Sequence, residues 1–311
     1  MDAEKGLIKG EETWSRRISQ AAQMACLLEV SAPKPGNVNP LQHFTDLHFE
    51  DFLLSALAIG PAMEAAGKCT VGQTIGRAIR DTRQVVNTNT NLGIVLLLAP
   101  LAKAGAQLES SLTRTTDPQK RLARLRNELG KILTELTMDD ARQAYTAIRL
   151  AQPGAMGEVS EGDVNEEPEI GLLEAMALAQ ERDAIAREYV TSYAITFEIG
   201  YPALAEAYRI SADLTKAIVQ AYLTILSEVP DTLIARKRGW EMARQVSLWA
   251  ADALSTGGAL TPEGQETLVN LDRLLRKEEN HSLNPGTTAD LTCAAIFLYL
   301  VCGGRSKVPA P

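Results

Sequence analysis

The 311-residue sequence lacks the short motifs by which the common nucleotide-dependent and hydrolytic enzymes are recognised. It contains no G-x-x-x-x-G-K-S/T loop, no G-x-G-x-x-G fingerprint and no G-x-S-x-G elbow. P-loop hydrolysis, Rossmann-type dinucleotide binding and serine hydrolysis therefore have no sequence support. The four cysteines show neither C-x-x-C spacing nor accompanying histidines, so we expect no zinc site and interpret them as reduced core residues.

The sequence also lacks an uncharged apolar run that approaches the roughly 20 residues needed to span a bilayer. Residues 1–6 have no basic start followed by an apolar segment, so we expect no secretory signal and a cytoplasmic location. A formal net charge of −8 and only three histidines argue against a broad nucleic-acid-binding surface. An anionic ligand would therefore need a local basic site or bridging cations.

What the sequence does contain is helical periodicity over nearly its whole length. Within residues 12–30, apolar side chains recur at the spacing of an amphipathic helix that runs into a proline-rich stop. The same pattern predicts further helices at about 49–66, 72–86, 92–104, 118–135, 138–150, 181–209, 212–228, 239–255, 261–276 and 287–303.

These patterns predict an all-α fold, with one compact multi-helix domain over residues 1–311. Residues 91–99 are apolar on more than one face, which places their helix inside the core. We expect buried central helices, with the polar loops between helices forming the site. Residues 151–169 are rich in glycine and acidic side chains and are predicted to be a mobile acidic loop within the domain.

A rigid polar run, Ser31 to Pro40, follows the first predicted helix. Prolines on both sides of Lys34 favour an extended backbone, and Gly36 permits dihedrals or a ligand approach that a side chain would block. The run can present a fixed lysine charge, although a helix stop with a solvated lysine is an equal alternative. Asp46 lies in the loop that follows, where both a site residue and an ordinary loop residue remain open.

A second polar run, Asn87 to Gly93, directly precedes the most apolar predicted helix. Backbone amides and amide side chains at a buried helix N-terminus can bind an anion or a sugar hydroxyl, and Gly93 allows close approach. Ordinary N-capping needs one Asn or Thr, whereas this run has five such residues. The pattern therefore favours a binding site that includes Asn89 and Thr90.

Two later clusters place charge at predicted helix starts. Asp231 opens one helix, and Arg236 and Lys237 follow about one turn later, which fits either a capped helix with a basic end or a site. Asp290 falls in the first turn of an otherwise apolar helix, where a carboxylate needs a partner.

A further run, residues 153–163, contains Gly-x-x-Gly-Glu and is better explained as a solvated loop than as a ligand clamp. His43, His48 and His281 have no metal-ligand spacing, and we do not expect them to act directly.

In their shared order, these clusters resemble the triphosphoribosyl-dephospho-coenzyme A synthase family, all-helical enzymes that prepare the prosthetic group of citrate and malonate decarboxylases. The resemblance runs from about residue 31 to residue 295. The motifs that carry it are Ser31-Ala32-Pro33-Lys34-Pro35-Gly36, Asp46 ahead of Phe-x-x-Ser-Ala at 52–56, Asn89-Thr90-x-x-Gly93, Gly154-x-x-Gly157-Glu158, Asp231-Thr232 and Pro285-Gly286-x-x-Ala289-Asp290.

The resemblance implies a reaction between ATP and dephospho-coenzyme A, in which a ribose 2′-hydroxyl attacks the anomeric carbon of the ATP ribose and adenine leaves. An oxocarbenium-like transition state calls for carboxylates near the reacting carbon. By resemblance, the catalytic base and the Mg²⁺ ligands are Asp46, Asp231 and Asp290. The implied nucleotide-binding residues are Lys34, Gly36, Asn89, Thr90, Gly93, Arg236 and Lys237.

The sequence departs from the family pattern at cationic positions. Asn91-Leu92 and Phe44-Thr45 each stand where the family has His-Lys, and Met156 replaces an expected Arg. These departures indicate a divergent member, in which Lys34 carries more of the phosphate binding. The acceptor is expected to be dephospho-coenzyme A or a related nucleotide.

The sequence leaves two other functions open. The same carboxylates could activate water in a Mg²⁺-dependent N-glycoside hydrolase, or the helices could form a non-catalytic scaffold. We expect neither nucleic acid nor membrane as a partner, and the sequence is compatible with a homo-oligomer.

Overall fold

The computed structural model describes residues 13–152, 164–277 and 281–303, and within these ranges it contains α-helices and no β-strand. The helices are α1 (Trp14–Ser31), α2 (Phe49–Ala58), α3 (Gly60–Ala65), α4 (Val71–Arg83), α5 (Leu92–Gln107), α6 (Glu109–Thr113), α7 (Pro118–Thr134), α8 (Met138–Ala151), α9 (Leu172–Ala179), α10 (Ala184–Thr191), α11 (Tyr201–Ser211), α12 (Leu214–Glu228), α13 (Thr232–Arg238), α14 (Trp240–Ser255), α15 (Pro262–Arg276) and α16 (Gly286–Cys302). A π-helical turn (Ile195–Gly200) precedes α11, and a 3₁₀ turn (Gly258–Leu260) precedes α15.

The prediction of an all-α fold with buried central helices is confirmed. Helices α5 and α16 are buried on nearly all sides and pack against each other, with α1 and α12 against α16 and α7 against α5. Both helices are apolar around their whole circumference, so surrounding helices must shield every face. None of the described helices combines the length and hydropathy needed to cross a membrane.

Two long predicted helices are each divided in the structure. The predicted helix 49–66 becomes α2 and α3, which meet at Ile59, with Pro61 in the first turn of α3. The predicted helix 181–209 becomes α10, the π-helical turn and α11. The break follows from left-handed backbone at Ser192 and Tyr193, whose φ angles are 51° and 62°. Apolar periodicity continues through both breaks, so the sequence pattern conceals them.

Side-chain caps fix where several helices begin. Thr70 and Gln73 form a capping box at the start of α4, and Thr137 and Asp140 form one at the start of α8. Asp140 also accepts a hydrogen bond from the amide of Gly72 at 2.7 Å, which joins the starts of α4 and α8.

A proline inside α5 is compensated by α10. Pro100 has no N–H to donate to the carbonyl of Leu96 one turn earlier. The Tyr189 hydroxyl donates to that carbonyl at 2.7 Å, and the Tyr193 hydroxyl donates to the carbonyl of Leu97 at 3.0 Å. The two tyrosines therefore tie α10 and the turn after it to the central helix.

The π-helical turn is anchored by a buried carboxylate. Glu188 accepts hydrogen bonds from the amides of Ile195 and Thr196 at 2.7 and 3.0 Å, and from the Thr196 hydroxyl at 2.5 Å. Burial raises the pKa of Glu188 to about 7, and the bonds from Thr196 and Ile195 oppose that shift. This carboxyl group therefore ties α10 to the π-helical turn.

Candidate active site

A cavity of about 500 Å³ lies between α1, α5, α8, α9, α10, α13 and α16. Helices α8 and α9 supply an apolar wall that includes Ile148, Leu172 and Met176. The rest of the wall is more polar and carries the charged groups. The polar lining residues include Glu29, Asn37, Asp46, Asn89, Thr90, Asn91, Arg182, Asp183, Arg236, Lys237, His281, Asn284, Thr287 and Asp290.

Asp290 lies in this polar wall, directly against the first turn of α5. A Cβ atom added at Gly93 would be 2.0 Å from Asp290 Oδ2 and 2.6 Å from its Cγ, so only glycine leaves room for the carboxyl group. Burial raises the pKa of Asp290 well above its usual range, and the charges of Glu29, Asp231 and Asp183 add to the shift. The structure thus brings the predicted residues Asp290 and Gly93 into contact.

Asp231 is placed differently from the sequence expectation. Its Oδ1 accepts from the amides of Leu233 and Ile234 at the start of α13, at 2.9 and 3.1 Å. Its Oδ2 accepts from the amide and hydroxyl of Thr288 on α16, at 2.7 and 2.8 Å. Asp231 is 2% exposed and is not among the residues lining the cavity. Its hydrogen bonds join the start of α13 to α16.

Lys34 and Gly36 also lie behind the cavity wall and not in it. The Lys34 side chain is fully buried, with Nζ 2.9 Å from Glu29 Oε1 and hydrogen-bonded to the carbonyls of Glu29 and Ala32. Gly36 adopts a φ of +78° and donates its amide to Asp272. The expected phosphate-facing lysine is therefore corrected to an internal ion pair, because the proline-rich turn folds Lys34 back onto the end of α1.

The asparagine-rich run lines the cavity as expected. Asn89 Oδ1 accepts from the amide of Leu92 at 3.1 Å and so helps to start α5. The Thr90 hydroxyl is 2.5 Å from that of Ser55, and Asn91 donates to Thr82 at 3.0 Å. This run combines capping with cavity lining, which are the two alternatives that the sequence left open.

The predicted cations of α13 reach the same cavity. Arg236 Nη1 is 2.7 Å from Asp183 Oδ2, whereas Arg236 Nε is buried without a hydrogen-bond partner among the described residues. Lys237 donates to the carbonyl of His281 at 3.4 Å, and burial lowers the pKa of Lys237. Both side chains therefore place positive charge beside the carboxyl groups.

Asp46 pairs with a histidine that the sequence did not favour. His281 Nε2 lies 2.5 Å from Asp46 Oδ1, and the imidazole stacks on Phe44 with the ring centroids 3.9 Å apart. These partners are more than 230 positions apart in the chain, so no local spacing could have joined them. Asp46 is thus at the cavity, in an aspartate–histidine pair.

The three aspartates predicted to hold Mg²⁺ do not come together as a metal site. Among residues 13–152, 164–277 and 281–303, no group of three or more His, Cys, Asp or Glu side chains could hold a metal ion. Asp231 has both oxygens committed to hydrogen bonds, and Asp46 is paired with His281. The expected carboxylate triad for Mg²⁺ therefore does not fit this arrangement.

Glu29 and Arg182 line the cavity and were missed from the sequence. Glu29 had a usable signal, since a carboxylate in the last turn of a helix opposes the helix dipole. Arg182 lies in a short turn between α9 and α10 and carries no such signal. The Gly154-x-x-Gly157-Glu158 motif lies outside the described residues.

The fold and the cavity define an all-helical enzyme with a charged small-molecule site. The chain belongs to the ATP:dephospho-CoA triphosphoribosyl transferase family, whose model CitG matches residues 15–308. It is therefore a transferase of the triphosphoribosyl-dephospho-CoA synthase type, and the resemblance found in the sequence is confirmed.

Relatives and a solved structure agree with this family. Proteins from Malonomonas rubra and Pseudomonas savastanoi pv. phaseolicola, each named "Probable 2-(5''-triphosphoribosyl)-3'-dephosphocoenzyme-A synthase", are 25% and 23% identical. The matches cover 94% and 91% of this chain and 90% and 91% of those proteins. A crystal structure assigned to a triphosphoribosyl-dephospho-CoA synthase from Archaeoglobus fulgidus has a TM-score of 0.58 at 28% identity, covering 81% of this chain and 100% of that one.

A longer relative is also similar. Protein CitXG from Leuconostoc mesenteroides subsp. cremoris is 25% identical, and the match covers 92% of this chain but 59% of that protein. The chain thus corresponds to one part of a larger polypeptide in that organism.

Proposed function

We propose that this chain transfers the triphosphoribosyl group of ATP to the ribose 2′-hydroxyl of dephospho-CoA, with release of adenine. The observation that carries this proposal is the placement of Asp290 against Gly93 in a cavity that also holds Arg236 and Lys237. Family membership names the reaction, and this cavity offers the groups it needs.

The reaction balances as a substitution at one carbon. The bond between the acceptor oxygen and C1′ forms, the bond between C1′ and adenine N9 breaks, and the bonding electrons leave with adenine. The acceptor hydroxyl loses one proton, and adenine gains one. Positive charge develops on the ribose as N9 leaves, and the ionised form of a cavity carboxyl group such as Asp290 can stabilise it.

The two cationic side chains, Arg236 and Lys237, are proposed to bind the triphosphate of ATP. Arg236 can offer a planar set of donors to phosphate oxygens, and Lys237 can offer a point charge. Asn89 and Thr90, at the start of α5, provide neutral hydrogen-bonding groups for the sugar or a phosphate. Mg²⁺ bound to the triphosphate remains a prediction.

The direct test incubates the purified chain with ATP and dephospho-CoA, with Mg²⁺ or with EDTA, and follows the products by mass spectrometry. Free adenine together with triphosphoribosylated dephospho-CoA supports the proposal. Adenine with free triphosphoribose would indicate the hydrolase instead. ADP or AMP as the product would overturn the glycosyl mechanism, and loss of turnover in EDTA would support a role for Mg²⁺.

Replacing Asp290 tests its part in this reaction. Asp290→Asn preserves the shape of the side chain but removes its capacity to ionise and to exchange a proton. We expect kcat to fall by about 100-fold or more, a typical loss for a catalytic carboxyl group. A variant that keeps more than about a third of the wild-type kcat would remove Asp290 from the mechanism.

A further inference from the structure

Glu29 stands at a position where a charged side chain is costly. It lies in the last turn of α1, where the helix dipole disfavours negative charge, and it is only 4% exposed. Its partner Lys34 is fully buried. A buried ion pair often gives no more stability than apolar side chains of the same size, so stability alone does not explain this pair.

Glu29 is nevertheless one of the residues that line the cavity. Lys34 Nζ contacts Oε1 at 2.9 Å and also binds the carbonyls of Glu29 and Ala32, so it both fixes the carboxylate and closes the end of α1. Asn37, three residues further on, lines the same cavity and donates to the Tyr222 hydroxyl at 2.9 Å. The end of α1 and the proline-rich turn thus place Glu29 and Asn37 at the cavity, while Lys34 stays behind its wall.

Glu29 and Asp290 lie on helices that pack against each other, α1 and α16. Gly93 on α5 leaves the space that Asp290 fills. Two of the carboxyl groups in the cavity therefore have different supports. Glu29 is held by a lysine, whereas no cation forms an ion pair with Asp290 among the described residues. Two carboxyl groups in unlike environments are a common arrangement at a glycosyl centre.

We propose that Glu29 is a second catalytic carboxylate, which accepts the proton of the attacking ribose hydroxyl, and that Lys34 is the positioning residue that holds it. This inference rests on the proposed function. The acceptor O–H bond breaks as its oxygen bonds to C1′, the proton passes to Glu29, and the electrons of the C1′–N9 bond leave with adenine. Glu29 then returns the proton to water, and adenine takes one up from water.

The first experiment compares Glu29→Gln with the wild type. Gln keeps the length of the side chain and an oxygen for Lys34, but it cannot act as a base. We expect kcat to fall by about 100- to 10,000-fold, while the dissociation constant for ATP changes less than about 3-fold and the protein melts within a few degrees of the wild type.

The matched control is Glu228→Gln, since Glu228 also ends an apolar helix but is exposed and outside the cavity. It should keep wild-type kcat. The inference is overturned if Glu29→Gln retains kcat within about 3-fold, or if its loss of kcat is accounted for by unfolding or by weaker ATP binding. Wild-type turnover tests the proposed function separately, because Glu29 is judged by the ratio of variant to wild type.

The second experiment tests whether Lys34 acts through Glu29. Lys34→Met is compared in the wild-type and Glu29→Gln backgrounds, and the double variant replaces the buried ion pair by a neutral pair. If Lys34 works by holding Glu29, its loss lowers kcat by at least about 10-fold in the first background and by less than about 3-fold in the second. Equal fold-losses in both backgrounds would overturn the positioning role. If Lys34→Met alone does not fold, Lys34→Gln, which also removes the charge, provides the same comparison.

Discussion

At the scale of single residues, the absence of a side chain at Gly93 leaves the space that the Asp290 carboxyl group occupies. No side chain fits between the first turn of α5 and Asp290, since a Cβ at that position would be 2.0 Å from Oδ2. Neither residue could reveal this contact from the sequence, because they are almost 200 positions apart. The sequence predicted that Gly93 allows close approach, and the structure shows that Asp290 is the group that approaches.

Gly93→Ala should therefore displace Asp290 and lower kcat by at least about 10-fold, since small misplacements of a catalytic group are costly. Kinetics with ATP and dephospho-CoA measure the effect. Gly130→Ala is the control, because the nearest atom to an added Cβ there is 3.7 Å away. That control should keep its activity and gain up to about 1 kcal/mol of stability, as alanine favours a helix. Unchanged kcat in Gly93→Ala would contradict the role given to the contact.

At the scale of elements, the joints between helices are polar groups that serve backbone atoms. Asp231 joins α13 to α16, Asp140 joins α8 to α4, and Tyr189 joins α10 to α5. Each satisfies backbone groups that the helices leave unpaired, so each matters for the angle at which two helices meet. Because α5, α10, α13 and α16 all line the cavity, these joints also shape the site.

Tyr189→Phe tests the joint between α10 and α5. The change leaves the carbonyl of Leu96 buried and without its donor, since Pro100 cannot supply one. We expect the free energy of unfolding to fall by about 1–3 kcal/mol, measured by denaturant unfolding. Loss of less than about 0.3 kcal/mol would show that the carbonyl finds another partner.

Glu188 predicts how stability depends on pH. Its pKa is raised to about 7 in the folded chain from an ordinary value of 4.5, mainly because burial disfavours the charged form. Between these two pH values, Glu188 holds a proton in the folded chain that it has released in the unfolded chain. The contribution of Glu188 to the free energy of unfolding therefore falls as pH rises, by up to about 1.4 kcal/mol per pH unit.

The free energy of unfolding, measured from pH 4 to pH 8, should therefore fall less steeply with pH for Glu188→Gln than for the wild type. The exposed Glu135→Gln serves as the control and should keep the wild-type slope. Equal slopes in all three proteins would mean that Glu188 has the same pKa in the folded and unfolded chains.

At the scale of the whole molecule, the cavity is the place where separate parts of the chain meet. Its lining runs from Glu29 near one end of the chain to Asp290 near the other, and it includes residues from α8, α9 and α10 between them. A ligand that contacts several of these helices stabilises the folded molecule and binds the unfolded chain poorly.

ATP at about 100 times its dissociation constant should raise the free energy of unfolding by roughly 2.7 kcal/mol. Thermal unfolding with increasing ATP measures this, with Mg²⁺ and with EDTA in parallel. Arg236→Gln should weaken the effect, because it removes a cation from the cavity. An unfolding temperature that does not respond to ATP would argue against nucleotide binding in the cavity.

The sequence by itself determined the all-α fold, the buried central helices and the polar helix starts at Asn89, Asp231 and Asp290. These features are local, since periodicity and capping act within a few residues. The sequence did not predict the breaks at Ile59 and at Ser192 and Tyr193, because apolar periodicity continues through them. The order of the motifs also identified the family.

Only the tertiary structure decided which charged groups share the cavity. It turned Lys34 inward onto Glu29, committed Asp231 to a helix joint and paired Asp46 with His281. These contacts depend on how helices that are distant in sequence pack against each other, and on the direction in which a side chain leaves a turn. No pattern within one segment contains that information, because packing between segments sets it.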